Sequence, residues 1–540
     1  MRRKIAVLFV LFGLLAAACS SSSSPQAGGA AQRAATADTE AEVRIAAPED
    51  QWPENGPGPK ATHFAYVHNV NVYEPLVYLG SDYTLQPGLA ERWELVNNDT
   101  TWRFHLRRGV QFHDGRPFSA DDVVWTWGVR QMEGKTLPTV ADTLGPDSVK
   151  KIDDFTVDFT PRTPNLRIPE QIVHPEGAIV PNGSHNDSEP PVGTGPFRVV
   201  SYTPKQTAVV ERFEGYWGEK PKVKRMSIRF LPDPQTRLEA LRSGQVDFVI
   251  DLPADATRTI EGDSRFRVVR SEPGRTHLIY INKREGRVTS ERAVREAVAL
   301  ALDREAYTEV VFDGNAEPGR WMAPESVLGR AAGMVREVPF DPRRAARVLD
   351  EAGWRPGSDG IRTKGDQRLT LKLLGTHETP DQALVFIQSQ LKAVGIDVAI
   401  LRTPDVATRS ALYQRGAGDF DLDLEPPNQN DGNPAFLPVL RMYSQVATNV
   451  QFAPNAPPVT PSGPEFDAQV RRALAATTTA EVQQASATMM RILSNEDYIV
   501  VPMAGIFRIY GMTRDVDLGD PHPSFTNQTW ISLTKSTNES

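Results

Sequence analysis

The chain has 540 residues, 40% hydrophobic and 24% charged, which is ordinary globular composition and enough length for two or more lobes. Its formal net charge of −8, with basic residues interspersed among acidic ones, argues against a nucleic-acid partner, which would call for a basic patch. A single cysteine excludes an internal disulfide, so stability has to come from burial.

Met1-Arg2-Arg3-Lys4 precedes fourteen apolar or small residues, Ile5 to Ala18. That run falls short of the roughly 20 residues a membrane span needs. Its basic front, apolar middle and small-residue exit predict a secretory leader, residues 1–18, cleaved before Cys19. Loss of Arg2, Arg3 and Lys4 with the leader makes the mature chain more acidic. Cys19 in this setting resembles the cysteine of the bacterial lipobox, whose thiol is acylated, although Leu15 stands one place from the usual leucine position. Two or more acyl chains anchor a protein stably, whereas one is marginal. Residues 19–40, rich in Ser, Ala, Gly, Gln and Thr, then form a flexible tether with a reach of about 25 Å. The expected location is extracytoplasmic, on the outer face of the cell membrane.

Trp102 to Arg107 alternates apolar and polar residues as a half-buried strand does. Arg108-Gly109 and His113-Asp114-Gly115 are turns, and Ser119 caps a helix with Asp122 in the reciprocal capping-box place. Val123, Val124 and Trp127 of that helix face a core. His113-Asp114 is read as turn chemistry rather than as a metal or acid/base pair. Val192-Gly193-Thr194-Gly195-Pro196 has the look of a phosphate loop, but strand residues follow where a helix N-terminus would be needed, so it is read as a tight turn. Lys220, Lys222, Lys224 and Arg225 read as a solvated strand edge. Gln235–Ser243 is a helix closed by Gly244, and Val246–Ile250 is a buried strand.

In the second half, Ser290 precedes a helix to about Val311, with Val294, Val298, Ala301 and Leu302 on one face and Gly314 beyond. Asp303-Arg304 reads as a cap or a surface ion pair on it. Asp341-Pro342 opens a helix stopped by Gly353, Thr379-Pro380 one stopped by Gly395, and Ile396–Leu401 is a strand. Alternating helices and strands indicate an α/β fold, and no internal repeat is present.

Five segments in order resemble the family 5 extracellular solute-binding proteins, the oligopeptide- and dipeptide-binding class of ABC importers. They are FHLRRGVQFHDGRPFSADDVVWTW within 102–127, VGTGPFRV at 192–199 followed by LRSGQVDF at 241–248, RAVREAVALALDREA at 292–306, DPRRAARVLDEAGW at 341–354, and MMRILSNEDYIVVPM near the C-terminus. The resemblance implies a two-lobed clamp of the periplasmic-binding-protein type II class with an additional inserted subdomain. Lobe one would comprise 41–70, 189–276 and 504–540, the insert 71–188, and lobe two 277–503. It also implies a monomer that needs no cofactor and delivers a small ligand, peptide or oligosaccharide, to permease subunits and their ATPase.

In the peptide binders of this family a D-x-G-D-P loop supplies an aspartate for the ligand's α-ammonium. Here that place reads Pro426 to Pro434, with Asn430 where the aspartate would stand. A neutral amide cannot make the charge-assisted bond a buried ammonium needs. Two readings stay open. Asp431 or Glu425 takes the ammonium of a peptide, or Asn428, Gln429, Asn430 and Asn433 hydrogen-bond a neutral polyhydroxylated ligand, with Trp321, Tyr443 or Trp530 stacking on its rings.

An exported hydrolase finds little support. There is no His-Glu-x-x-His, no Gly-x-Ser-x-Gly and no cysteine nucleophile in the mature fold. His63 and His68 lie five apart with no third ligand nearby, so no metal is expected. A ligand-sensing receptor built on the same clamp is the remaining alternative.

Overall fold

The computed structural model describes residues 37–48, 71–97, 100–129, 144–145, 147–162, 165–173, 177–184, 191–322, 329–376, 379–404, 408, 412, 418–429, 463–476, 478–522 and 528–536. Residues 1–18, expected to be a leader, and Cys19, His63 and His68 lie outside them.

Two mixed sheets carry the fold. The first has seven strands in the order Phe266–Arg270, Ile509–Thr513, Phe248–Ile250, Glu42–Ala47, Arg225–Phe230, Thr207–Arg212 and Phe197–Thr203. Its central strand Glu42–Ala47 runs parallel to both neighbours and buries Val43 and the run Ile45–Ala47, while Glu42 and Arg44 stay exposed at its start. Val43, Ile45 and Ala47 enter one cluster with Phe248 and Trp530, while Ala46 enters another with Leu238 and Leu241 of the helix Pro234–Arg242. The second sheet has six strands, Ala316–Pro318, Val500–Ile506, Arg275–Ile281, Leu422–Gln429, Thr370–Thr376 and Asp397–Thr403. Its core packs the helices Arg292–Ala301, Arg304–Phe312, Pro342–Glu351 and Asp381–Ala393 against the strands through Val298, Tyr307, Leu349 and Ile387.

A four-stranded antiparallel sheet, Ala90–Val96, Thr101–Leu106, Thr156–Phe159 and Val149–Asp153, forms a separate insert with its own core around Phe104, Phe159 and Trp127. Ser119 and Asp122 make the expected reciprocal cap, with Ser119 N–H donating to Asp122 Oδ2 at 2.7 Å. The α-helix covers only Ala120–Val124 and continues as a π turn, Trp125–Val129. Val123 and Trp127 are buried and Val124 partly so.

Three readings need correction. The helix expected from Ser290 to Val311 is two helices, because Leu302 is extended and Asp303 accepts from Ala306 N–H at 3.0 Å, starting a new cap. Arg304 is no surface ion-pair partner. It is buried and donates to the carbonyls of Ala299, Leu302 and Pro502, tying the end of one helix to a strand. The basic run at 220–225 is solvated at Lys220, Lys222 and Lys224 as expected, but the strand it leads into is interior, since Arg225–Phe230 lies between Glu42–Ala47 and Thr207–Arg212. Its cations are also paired, Lys220 with Glu214, Lys224 with Glu40 and Arg225 with Glu211.

The chain passes between the two sheets twice. Residues 271–274 link Phe266–Arg270 to Arg275–Ile281, and residues 507–508 link Val500–Ile506 to Ile509–Thr513. The crossings are bonded to each other: Ser271 N–H donates to the Arg508 carbonyl and Arg508 N–H to Ser271 Oγ, both at 3.0 Å. Arg508 is buried, and its Nε lies 3.4 Å from Asp251 Oδ1. A pair of adjacent, mutually bonded crossings between two separately packed sheets is the anatomy of a hinge.

Candidate functional site

The conspicuous His113 belongs to the scaffold. Its backbone N–H donates to the Gly193 carbonyl at 2.9 Å, its Nδ1 accepts from Gly193 N–H at 3.3 Å, and its Nε2 meets the Gly195 carbonyl at 3.0 Å. Desolvation lowers its pKa to about 4, so the ring is neutral at pH 7, and the Gly195 carbonyl opposes that shift only in part. The glycines are there for close approach and not for phosphate. A Cβ on Gly193 would lie 1.9 Å from the Val72 carbonyl oxygen, and one on Gly195 2.6 Å from that of Asn71.

Beside this seam, Glu74 is fully buried and accepts from Tyr78 Oη at 2.8 Å, Tyr216 Oη at 2.9 Å and Trp217 Nε1 at 2.9 Å. Burial raises its pKa, and the donors counteract that in part. This carboxylate fastens the insert to the first sheet. On its other side the insert meets the second lobe: Leu79 and Tyr83 share a buried cluster with Tyr280, Met322 and Phe466. There Arg167, buried and paired with Glu170 at 2.7 Å, donates to the Ala476 carbonyl at 3.0 Å.

The predicted ligand residues are only partly within view. Asn430, Asp431, Asn433 and Tyr443 lie outside the described residues. Glu425, Asn428 and Gln429 are described through their backbone, on the strand Leu422–Gln429, where they stand opposite Leu278, Thr276 and Arg275. That strand neighbours Arg275–Ile281, which begins directly after the crossing at 271–274. Trp321 is half-buried, and its indole Nε1 donates to the Val335 carbonyl at 3.3 Å, which fixes the ring. Trp530 cannot stack on a ligand: it is fully buried in the first lobe, edge-on to Phe248 at 5.3 Å between ring centroids.

A recess with room for about one water lies at the hinge end of the second sheet, lined by Pro273, Thr276, Glu317, Gly319, Arg320, Trp321 and Gly505. Sequence reading singled out only Trp321 of this set. The others come from three strands, the residues just after one of them and a crossing, far apart in the chain, and no local pattern marks them. Among the described residues no group of three or more His, Cys, Asp or Glu is placed to hold a metal ion, and no helix is long and apolar enough to cross a membrane.

Comparison with known proteins agrees with this architecture. Residues 84–449 match the family described as bacterial extracellular solute-binding proteins, family 5 Middle. Protein XP55 of Streptomyces lividans is 32% identical over 376 residues, 66% of this chain and 68% of its own length. Among solved structures, NikA from Brucella suis, in complex with Fe(III)-EDTA, superposes with a TM-score of 0.79 at 23% identity, over 92% of this chain and 100% of that one. AppA from Bacillus subtilis, an oligopeptide-binding protein in complex with a nonapeptide, gives a TM-score of 0.71 at 18% identity, over 93% and 100%. The fold is thus the two-lobed α/β clamp with an inserted subdomain, and the chain belongs to the bacterial extracellular solute-binding proteins, family 5.

Proposed function

We propose that this protein, the substrate-binding component of an ABC importer, closes its two lobes around a peptide-like ligand and passes it unaltered to the permease subunits. The observation that supports this reading is the pair of bonded crossings at 271–274 and 507–508, a line about which lobes built on two separate sheets would rotate. A ligand touching both lobes favours closure only by its extra affinity for the closed form. The lobes are taken as 41–70 with 189–276 and 504–540, the insert as 71–188, and the second lobe as 277–503. In this reading the protein acts as a monomer, catalyses no reaction and is held at the outer face of the membrane through acylated Cys19.

The loop after Leu422–Gln429 is proposed to contribute Asn430, Asp431 and Asn433 to the ligand, beside Glu425, Asn428 and Gln429 on the strand itself, with Trp321 and Tyr443 as aromatic walls. Burial of Trp530 removes one of the three rings on which a sugar would stack, which favours peptide over oligosaccharide. AppA, solved with a nonapeptide, adds support from a neighbour of the same fold.

A thermal-shift screen of the mature domain against peptide and oligosaccharide libraries tests the reading, since a ligand of the folded state raises the melting temperature by mass action. Peptides are expected to raise it, and Asn430→Ala to weaken that rise without changing the unliganded midpoint. Stabilisation by oligosaccharides alone would replace the peptide reading, and turnover of any ligand would end the binding reading. Cys19→Ser is expected to move the protein from the membrane fraction to the medium, and retention would refute the lipid anchor.

A further inference from the structure

The insert is bonded to one lobe and packed against the other. Toward the first sheet its ties are polar. Glu74 accepts from Tyr216 Oη and Trp217 Nε1, both at 2.9 Å, His522 Nε2 meets the Leu79 carbonyl at 2.9 Å, and the Asn71 side chain bonds the Gln528 carbonyl at 3.0 Å and the Trp530 N–H at 2.9 Å. Toward the second sheet the contact is a seam made largely by one hairpin, Val77–Leu79 with Leu85–Pro87. Leu79 and Tyr83 of this hairpin are each 3% exposed and join Tyr280, Met322 and Phe466 in a cluster whose other buried members all lie between 278 and 500. The turn, closed by Tyr83 N–H donating to the Gly80 carbonyl at 2.9 Å, holds Tyr83 at a φ of 60°, a left-handed conformation that an aromatic residue rarely takes. Strain of that kind persists only where the surroundings fix it. The seam's second contact is Arg167, buried and ion-paired within the insert to Glu170 at 2.7 Å, whose Nη2 donates to the Ala476 carbonyl at 3.0 Å.

We propose that this seam is a latch that closes the two lobes on each other without help from a ligand, so that affinity is set in part by residues that never touch the cargo. Every contact in it is made by the protein itself. The seam also lies away from the crossings: Tyr280 follows residue 274 by about 20 Å of extended strand. A group about 20 Å from an axis moves about 5 Å when a lobe turns by about 15°, a rotation of ordinary size for such transitions. That displacement ends the Arg167 hydrogen bond and the apolar contacts alike. Beside the crossings the lobes share a knot that moves far less, in which Arg270 Nε donates to Asn315 Oδ1 at 3.0 Å and Asn315 Nδ2 to Thr257 Oγ1 at 3.1 Å. Opening therefore breaks the seam and spares the hinge. The apparent dissociation constant is the intrinsic one divided by the competent fraction, so a weaker latch reads out as weaker binding. This inference rests on the reading of the protein as a clamp that closes on a ligand.

The test measures two spin-label distances in the full mature chain carrying Cys19→Ser, without and with a pentapeptide library. One pair, Lys150→Cys with Arg471→Cys, spans the insert and the second lobe; the other, Lys150→Cys with Arg198→Cys, spans the insert and the first sheet, all three positions being exposed. The parent is expected to give one narrow distribution for each pair before any peptide is added. Leu79→Ala is expected to add a second 150–471 population shifted by about 5 Å, to leave 150–198 unchanged, and to weaken peptide binding about tenfold, with saturating peptide restoring the parent distance. The double variant Arg167→Leu with Glu170→Leu, which removes the buried pair without leaving a lone charge, is expected to act in the same direction. An unchanged 150–471 distribution in both variants overturns the latch and, where peptides still stabilise the protein, leaves the binding reading standing. Movement between 150 and 198 also overturns it, since the insert itself would then have come loose. Peptides that neither bind nor restore the parent distance, in variants whose 150–471 distribution does shift, overturn the peptide reading and leave the latch in place.

Discussion

His277 is a buried imidazole of the second sheet, at a bulge where the strand Arg275–Ile281 shifts register against both neighbours. Its Nδ1 shares a 2.9 Å hydrogen bond with Tyr307 Oη, its Nε2 has no partner among the described residues, and the ring packs edge-on to Phe312. Burial lowers its pKa from 6.5 to about 3. The folded state therefore keeps this ring neutral while the unfolded state takes up a proton below pH 6.5. The associated stability is fully present above pH 6.5 and is lost as pH falls from there toward 3, at up to about 1.4 kcal/mol per pH unit. His277→Gln is expected to flatten the decline in urea-unfolding free energy between pH 6.5 and 4 by about one proton, and an unchanged slope would assign the decline to other groups. Nothing in the sequence around His277 announces this role, because its burial depends on the helix Arg304–Phe312 folding over it. Gly193 and Gly195 were more legible: a proline and a strand after them excluded a phosphate loop. The backbone of Asn71 and Val72 that they accommodate came into view only with the fold.

Helix ends were the most legible elements, because capping is chemistry between near neighbours. Ser119 with Asp122 makes its box, Asp341 caps the helix Pro342–Glu351, and Gly244, Gly353 and Gly395 all take positive φ just past a helix end. The misread boundary at Leu302-Asp303 shows the limit of periodicity. The apolar stripe of Val294, Val298 and Leu302 runs straight into the break, and only the extended backbone of Leu302 and the reach of Arg304 to the Pro502 carbonyl end the first helix. Asp303 was considered as a cap and is one. Asp303→Ala is expected to cost roughly 1 kcal/mol and Asp303→Asn much less, read from the urea midpoint with unchanged slope. Equal costs for the two would mean that charge, not the hydrogen bond to Ala306 N–H, carries the effect.

The molecule as a whole was legible through a resemblance spread along the chain rather than through any local pattern, since a hinge made of residues 271–274 and 507–508 joins segments more than 200 positions apart. That topology also orders how the protein can be built. Ile509–Thr513 slots between Phe248–Ile250 and Phe266–Arg270, so the sheet begun by Glu42–Ala47 stays incomplete until the last residues arrive, whereas every strand of the other sheet lies between 275 and 506. A chain stopped after Ile506 is expected to retain slow amide exchange in Arg275–Ile281 and Thr370–Thr376 and to lose it in Phe248–Ile250 and Phe266–Arg270; simultaneous loss in both would show that neither half matures alone. A polypeptide threaded through a membrane N-terminus first would then finish its distal half before its proximal one, and the mouth of the trap would form only on release from the export channel.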